Sequence, residues 1–263
     1  MSLLRSRDNP RVRRWHALAH DARARRSERC ALLEGVHLVA AALDAGVHPK
    51  AVLVSESGAG KPEIAALVRR AGTAPVTLPD ALFRWVAEAT TPAGLAAEIG
   101  LPEAAVDVAR TSHALFLDGV QDAGNVGALL RSAAAFGVDT AVLGRGCADP
   151  WSPKVLRAAM GAHFALRIGE VPDLLPALAK FRGTLVCAVA GGGVPPHALD
   201  LRGSVGWILG SEGQGVSEAV AARAAVRTAI PLARGIDSLN VAAAAAVLLY
   251  ERARQLSTRG ARS

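Results

Sequence analysis

The chain has 263 residues, about half of them apolar, with three cysteines and a formal charge of +7. That length holds one large or two ordinary domains, and the apolar share excludes a disordered chain. The longest apolar run, near residues 241–249, is too short to span a bilayer, and residues 1–15 (MSLLRSRDNPRVRRW) lack the apolar core of a secretory signal.

Residues 1–30 carry nine arginines (5, 7, 11, 13, 14, 23, 25, 26 and 29) against Asp8, Asp21 and Glu28, so nearly all of the net charge is local. A localised Arg excess suits a polyanion such as RNA, with Arg5, Arg7, Arg11, Arg13 and Arg14 as candidate phosphate contacts; a solvated basic helix is the bland alternative. Residues 31–45 read as a helix ended by Gly46 and residues 51–54 as a strand. Pro62 opens a helix to Ala71, residues 76–78 form a short strand, residues 81–89 a helix, and residues 95–99 a last strand. This alternation predicts a small α/β domain over residues 1–105, followed by a linker at 100–112. A second domain, residues 113–263, has strands near 114–118, 140–143, 184–189, 205–209 and 226–230, a mostly parallel α/β pattern. Cys30, Cys147 and Cys187 form no CxxC pair. Their odd count without metal spacing predicts reduced thiols in the cytoplasm and no metal site.

Three segments of the second domain carry the chemistry. In the first, strand 115–117 runs into a turn-rich loop; Asn125 can cap a helix to about Phe136, which Gly137 stops. Arg131 lies in that helix among Leu130 and alanines 133–135, placed either for a specific anion or to snorkel into solvent. In the second, strand 207–209 enters Gly210-Ser211-Glu212-Gly213-Gln214-Gly215, a glycine-rich turn that lets a ligand approach the main chain, with Glu212 at the strand's carboxyl end. In the third, IPLARGIDSLNVAAAAAVLLYE (residues 230–251), Ser238 and Asn240 stand where a buried Ala-rich helix begins. Backbone N–H groups there lack partners and polar ligands are held; Asp237 or Ser238 also reads as a plain N-cap.

In this order and spacing, "DAGNVGALLRSAAAFG", "LGSEGQGVS" and "IPLARGIDSLNVAAAAAVLLYE" resemble the three motifs of the SpoU (TrmH-like) RNA ribose 2′-O-methyltransferases of the SPOUT class. The match covers about the last 150 residues. It implies a SPOUT domain with a deep trefoil knot, S-adenosylmethionine as methyl donor, a homodimer formed through this domain, and a catalytic set of Asn125, Arg131, Glu212, Ser238 and Asn240. The cofactor contacts it implies are Ala190, Gly191, Gly192, Leu209, Gly210, Ser211, Gly213, Ile230, Leu232, Ser238 and Leu239. The third motif departs from the family pattern at Leu232, where Met is common, and at Gly235, one place later than the usual glycine. The first domain, through "SRDNPRVRRWHAL", "LLEGVHLVAAAL" and "TTPAGLAAEI", resembles the L30e-like substrate-binding domain fused to SpoU enzymes, which implies an RNA-holding role, with rRNA favoured over tRNA.

Two look-alikes drop out. Gly58-Ala59-Gly60-Lys61 lacks the first Gly and the Ser/Thr of a phosphate loop, and no GxGxxG follows either first strand. Family proposals make Arg131 the base, but a guanidinium rarely deprotonates, so orienting the ribose and its phosphate is the role read here. The rival readings are an inactive RNA-binding homologue, against which all five polar motif residues stand, and a SPOUT enzyme that methylates a base.

Overall fold

The computed structural model describes residues 2–102 and 106–260, without the side chains of residues 2 and 258–260; Met1, Ala105 and Ser263, three of the expected domain limits, lie outside the described residues. The chain divides into two compact units, Met1–Glu103 with Asp149–Phe164, and Ala104–Ala148 with Ala165–Ser263.

In the first unit, strands β1 (Ser2–Leu3), β2 (Cys30–Glu34), β3 (Ala51–Ser55), β4 (Val76–Leu78) and β5 (Leu95–Gly100) form one sheet in the order β1-β4-β3-β5-β2. β5 is antiparallel to β2 and β3, and the remaining pairs are parallel. Helices α1 (Pro10–His20), α2 (Ala22–Glu28), α3 (Val36–Asp44), α4 (Glu56–Ala59), α5 (Pro62–Ala71) and α6 (Asp80–Val86) connect them. Leu32 and Leu53 pack with Val12, Trp15, Leu18 and Phe83 on one face. Ala31, Leu33, Val52 and Val54 pack with Leu38, Val39, Ile64 and Leu67 on the other.

The helix expected over 31–45 is therefore two elements. Residues 31–34 are strand, Gly35 turns at φ 97°, and only then does α3 begin. A strand buried on both faces reads as a continuous apolar run, which periodicity cannot separate from a buried helix.

The second unit holds β6 (His113–Asp118), α7 (Ala123–Ala135) and β7 (Thr140–Leu143). Helix α8 (Pro153–Ala159) belongs to the first unit, and the second resumes with β8 (Arg167–Glu170), α9 (Leu175–Lys180), β9 (Thr184–Ala188), β10 (Val205–Gly210), α10 (Glu218–Ala221), β11 (Val226–Thr228) and α11 (Val241–Gly260). Its six strands lie in the order β11-β9-β10-β6-β7-β8, and every pairing is parallel. Edge strand β8 has no fully buried residue, so no apolar pattern announces it. The linker includes one 3-10 turn at Val108–Arg110. The contiguous second domain expected over 113–263 gives up Asp149–Phe164: Trp151 and Leu156 enter the first unit's core, Asp149 pairs with Arg25 at 2.7 Å, and Arg157 donates to Glu34 at 3.0 Å.

Candidate active site

The carboxyl ends of parallel strands are where open α/β sheets bind ligands, because the connections there diverge and leave a crevice. Here β6 and β10 run side by side, with Leu209 opposite Leu117 and Gly210 opposite Asp118. The chain leaving β10 folds back at once: Ser211 and Gly215 exchange backbone hydrogen bonds of 3.1 and 2.9 Å, and Gly215 takes φ 68°. A Cβ on Gly210 would lie 2.1 Å from the Gly215 carbonyl, so this fold-back requires glycine at 210.

Asp122, not Asn125, caps α7, accepting from the Asn125 N–H at 2.8 Å. Asn125 lies within the first turn, its side chain free for other bonds. Its Nδ2 donates to Glu212, and its Oδ1 accepts from Asn240 Nδ2 at 2.9 Å. Asn240 in turn accepts the N–H groups of Ala242 and Ala243 at 3.0 and 3.2 Å, so it caps α11; Asp237 and Ser238 lie in the preceding loop. The three motifs thus meet in one relay, Glu212–Asn125–Asn240. Each amide is pinned at both ends, which fixes the orientation of its oxygen and nitrogen.

Beside the relay lies a cavity of about 340 Å3 lined by the ends of β9, β10 and β11, the 211–215 turn and α11. Of the expected cofactor contacts, Ala190, Leu209, Gly210, Ser211, Gly213, Ile230, Leu232, Ser238 and Leu239 line it, whereas Gly191 and Gly192 do not. In that glycine run the demanding position is Gly193, where a Cβ would lie 2.6 Å from the Ala229 nitrogen, so its role is to pack against the end of β11. The lining also includes Thr228, Val241, Ala244 and Leu248, which sequence reading did not assign. The last three follow an i, i+3, i+7 pattern, one readable face of α11.

Arg131 stands apart. It is exposed on α7, does not line this cavity and has no hydrogen-bond or ion-pair partner among the described residues. In the first unit, Arg5 and Arg7 are exposed ahead of α1, and Arg11 and Arg13 are exposed on it. Arg7 lies 5.3 Å over Trp85, Arg11 lies 5.0 Å over Trp15, and Arg13 pairs with Asp8 at 2.7 Å. Arg14 is committed to the fold. It holds buried Glu98 at 2.7 and 2.9 Å and also binds Glu28. Burial pushes the Glu98 carboxyl up, but hydrogen bonds from Arg14 and Trp15 outweigh it and hold the group below the usual range.

The family model described as the SpoU rRNA Methylase family matches residues 112–250, and that of an MRM3-like substrate binding domain matches residues 9–97. The chain belongs to the SpoU family. This SpoU protein is 34% identical over 253 residues to the Bacillus subtilis 23S rRNA (guanosine(2553)-2′-O)-methyltransferase RlmP, spanning 95% of this chain and 98% of that one. It is 29% identical to the human mitochondrial rRNA methyltransferase 3, spanning 87% and 68%. A crystal structure of an RNA 2′-O ribose methyltransferase superposes with TM-score 0.81 at 31% identity, covering 96% of this chain and 98% of that one. AviRb of Streptomyces viridochromogenes in complex with AdoMet superposes with TM-score 0.84 at 25% identity, covering 94% and 98%.

Like its family, this SpoU protein is an S-adenosylmethionine-dependent RNA ribose 2′-O-methyltransferase. Its cavity fits that cofactor. An adenosine needs an apolar slot edged by main-chain groups. Leu209, Val241 and Leu248 supply apolar lining, and the N–H groups of Ile230 and Leu232 make no hydrogen bond among the described residues. Among the described residues there is no cluster of three metal-ligating side chains and no helix long and apolar enough to cross a membrane.

Proposed function

We propose that the acceptor lies in large-subunit ribosomal RNA and that Asn125, Arg131, Glu212, Ser238 and Asn240 form the reaction centre. The observation that carries the residue assignment is the Glu212–Asn125–Asn240 relay at the rim of the cavity. The choice of RNA is supported by the 23S rRNA named for the Bacillus subtilis relative. S-adenosylmethionine supplies an electrophilic methyl group on a sulfonium, so the protein's task is alignment and help with the hydroxyl proton. Ile230 and Leu232 would offer main-chain groups to the adenine, and Ser238, exposed at the cavity edge, would hold the polar end of the cofactor. Asn125 and Asn240 hold Glu212 in place. Arg131, still protonated, binds the acceptor's phosphate and ribose and lowers the pKa of the hydroxyl electrostatically, and the hydroxyl proton leaves to solvent water as the oxygen takes the methyl.

The first domain holds the RNA in this reading, using Arg5, Arg7, Arg11 and Arg13; residues 113–148 and 165–263 carry catalysis. The protein works in the cytoplasm as a homodimer. Val247 and Tyr250, 43% and 56% exposed on α11, offer an apolar stripe for a second copy. The test is transfer of labelled methyl from S-adenosylmethionine to large-subunit rRNA transcribed in vitro, with the product mapped at nucleotide resolution. A ribose 2′-O-methyl at one site is expected; methyl on a base, or on tRNA alone, refutes the reading.

A further inference from the structure

The 211–215 turn has two sides. One faces the cofactor cavity. The other closes a second cavity of about 530 Å3, within the range of roughly 300–1,000 Å3 typical of small-molecule sites. Asp118, at the end of β6, and Arg145, just beyond β7, line it together with Gln121, Glu212 and Ser217. Asp118 Oδ2 accepts the Ser217 N–H at 2.8 Å, and its Oδ1 has no partner among the described residues. Arg145 and Gln121 are exposed and likewise make no hydrogen bond or ion pair there. A carboxylate and a guanidinium thus line one cavity without pairing with each other.

We propose that this cavity receives the base of the acceptor nucleotide and selects guanine. The inference rests on the reading that the protein methylates an RNA ribose. Glu212 is shared by the two cavities and is held by Asn125. In this proposal the ribose sits at Glu212, which both cavities share, with its hydroxyl toward the cofactor cavity and its base across the turn. Enzymes and RNA-binding proteins read bases splayed out of the stack through their hydrogen-bonding edges. Guanine presents the O6 and N7 acceptors that fit an Arg fork, and also donors at N1 and N2 for a carboxylate oxygen. Adenine sets an amine beside N7, against the guanidinium. Cytosine offers its amine to the carboxylate but has no O6/N7 pair for the fork. Arg145 therefore donates to O6 and N7, and Asp118 Oδ1 accepts from the N1–H and N2–H groups.

The experiment uses the full chain. The methylated nucleotide is first mapped in large-subunit rRNA transcribed in vitro. RNA fragments around it are then synthesised with guanosine, inosine (no N2 amine) or 7-deazaguanosine (no N7) at that position. Wild type should modify a guanosine and lose about tenfold or more in kcat/KM on each analogue. Arg145→Ala should lose about tenfold or more on guanosine but nothing further on 7-deazaguanosine. Asp118→Asn should lose activity on guanosine but nothing further on inosine. S-adenosylmethionine affinity, read by calorimetry, should be unchanged in both. Arg145 is exposed, so its variant decides the matter even where Asp118→Asn disturbs the Ser217 contact. A modified nucleotide other than guanosine, equal wild-type rates on all three fragments, or an Arg145→Ala variant as active as wild type on guanosine overturns the base pocket and leaves the methyltransferase reading standing. No methyl transfer to RNA by wild type overturns both.

Discussion

Arg131 and Asn125 lie on one helix, six residues apart, yet their settings are opposite. Asn125 is bound on both sides, whereas Arg131 has no partner among the described residues. An unpaired Arg keeps its planar fork for an incoming anion. Arg131→Ala is therefore expected to lower methyl transfer on the order of 10²-fold or more, with the S-adenosylmethionine Kd unchanged by calorimetry. Arg131→Lys should recover little, because a point charge does not replace a fork; wild-type turnover in either variant removes Arg131 from the site. Asn240 has two tasks, capping α11 and orienting Asn125. Asn240→Ala should cost about 1 kcal/mol as a lost cap, seen as a melting temperature a few degrees lower. It should also depress kcat more than the cofactor's binding constant. A variant that only melts earlier, with kcat intact, leaves Asn240 a structural cap. Asn125 and Asn240 were legible because both stand at the start of an apolar helix, where a polar side chain has free N–H groups to meet. The capping geometry was not: Asp122 and Asn240 won the cap positions because the chain's path decides which side chain reaches the free N–H groups.

At the scale of elements, the 211–215 turn is the most constrained piece of the site. Gly210→Ala places a Cβ against the Gly215 carbonyl. The turn must open, and S-adenosylmethionine binding should be lost in calorimetry while the far-UV spectrum stays that of the wild type. Retained affinity would show that the turn does not shape the cofactor cavity. Two buried histidines set how the strands and their connections respond to acid. His113, in β6, accepts from Trp207 at 3.0 Å and donates to the Gly137 carbonyl at 3.1 Å. Burial, reinforced by Arg252, pushes its pKa down to about 4. His163, 4% exposed, donates to the Pro150 carbonyl at 2.6 Å, and burial pushes it down to about 4 as well. Both are neutral when folded, so stability is full above the unfolded value near 6.5 and is lost as pH falls toward 4. Each should contribute at most a few kcal/mol to that loss. His163→Gln should melt with a shallower pH dependence between 6.5 and 4 than wild type. Identical slopes would contradict the assignment.

For the whole molecule, the RNA-holding role is best tested without dismembering the chain. Truncation at residue 105 would leave Trp151 and Leu156 without the core they fill in the first unit. Replacing Arg5, Arg7, Arg11 and Arg13 together by Gln keeps the fold and should reduce the slope of log K against log salt by roughly three, measured by filter binding to rRNA. An unchanged slope would move the RNA surface elsewhere. Light scattering at micromolar concentration should find a dimer, and Tyr250→Glu should shift it toward monomer. The sequence by itself determined the family, the position of most strands and the three polar residues that meet in the relay, Asn125, Glu212 and Asn240, because each is written in short segments: apolar runs, glycine turns and helix starts. Tertiary structure alone decided that residues 31–34 pair as a strand, that 149–164 joins the first unit and that Arg14 serves Glu98. It also decided that Gly191 and Gly192 do not line the cavity beside the relay and that Asp118 and Arg145 share a second one. Those outcomes depend on which surfaces meet across tens to more than a hundred residues, and no local pattern of polarity encodes the partner.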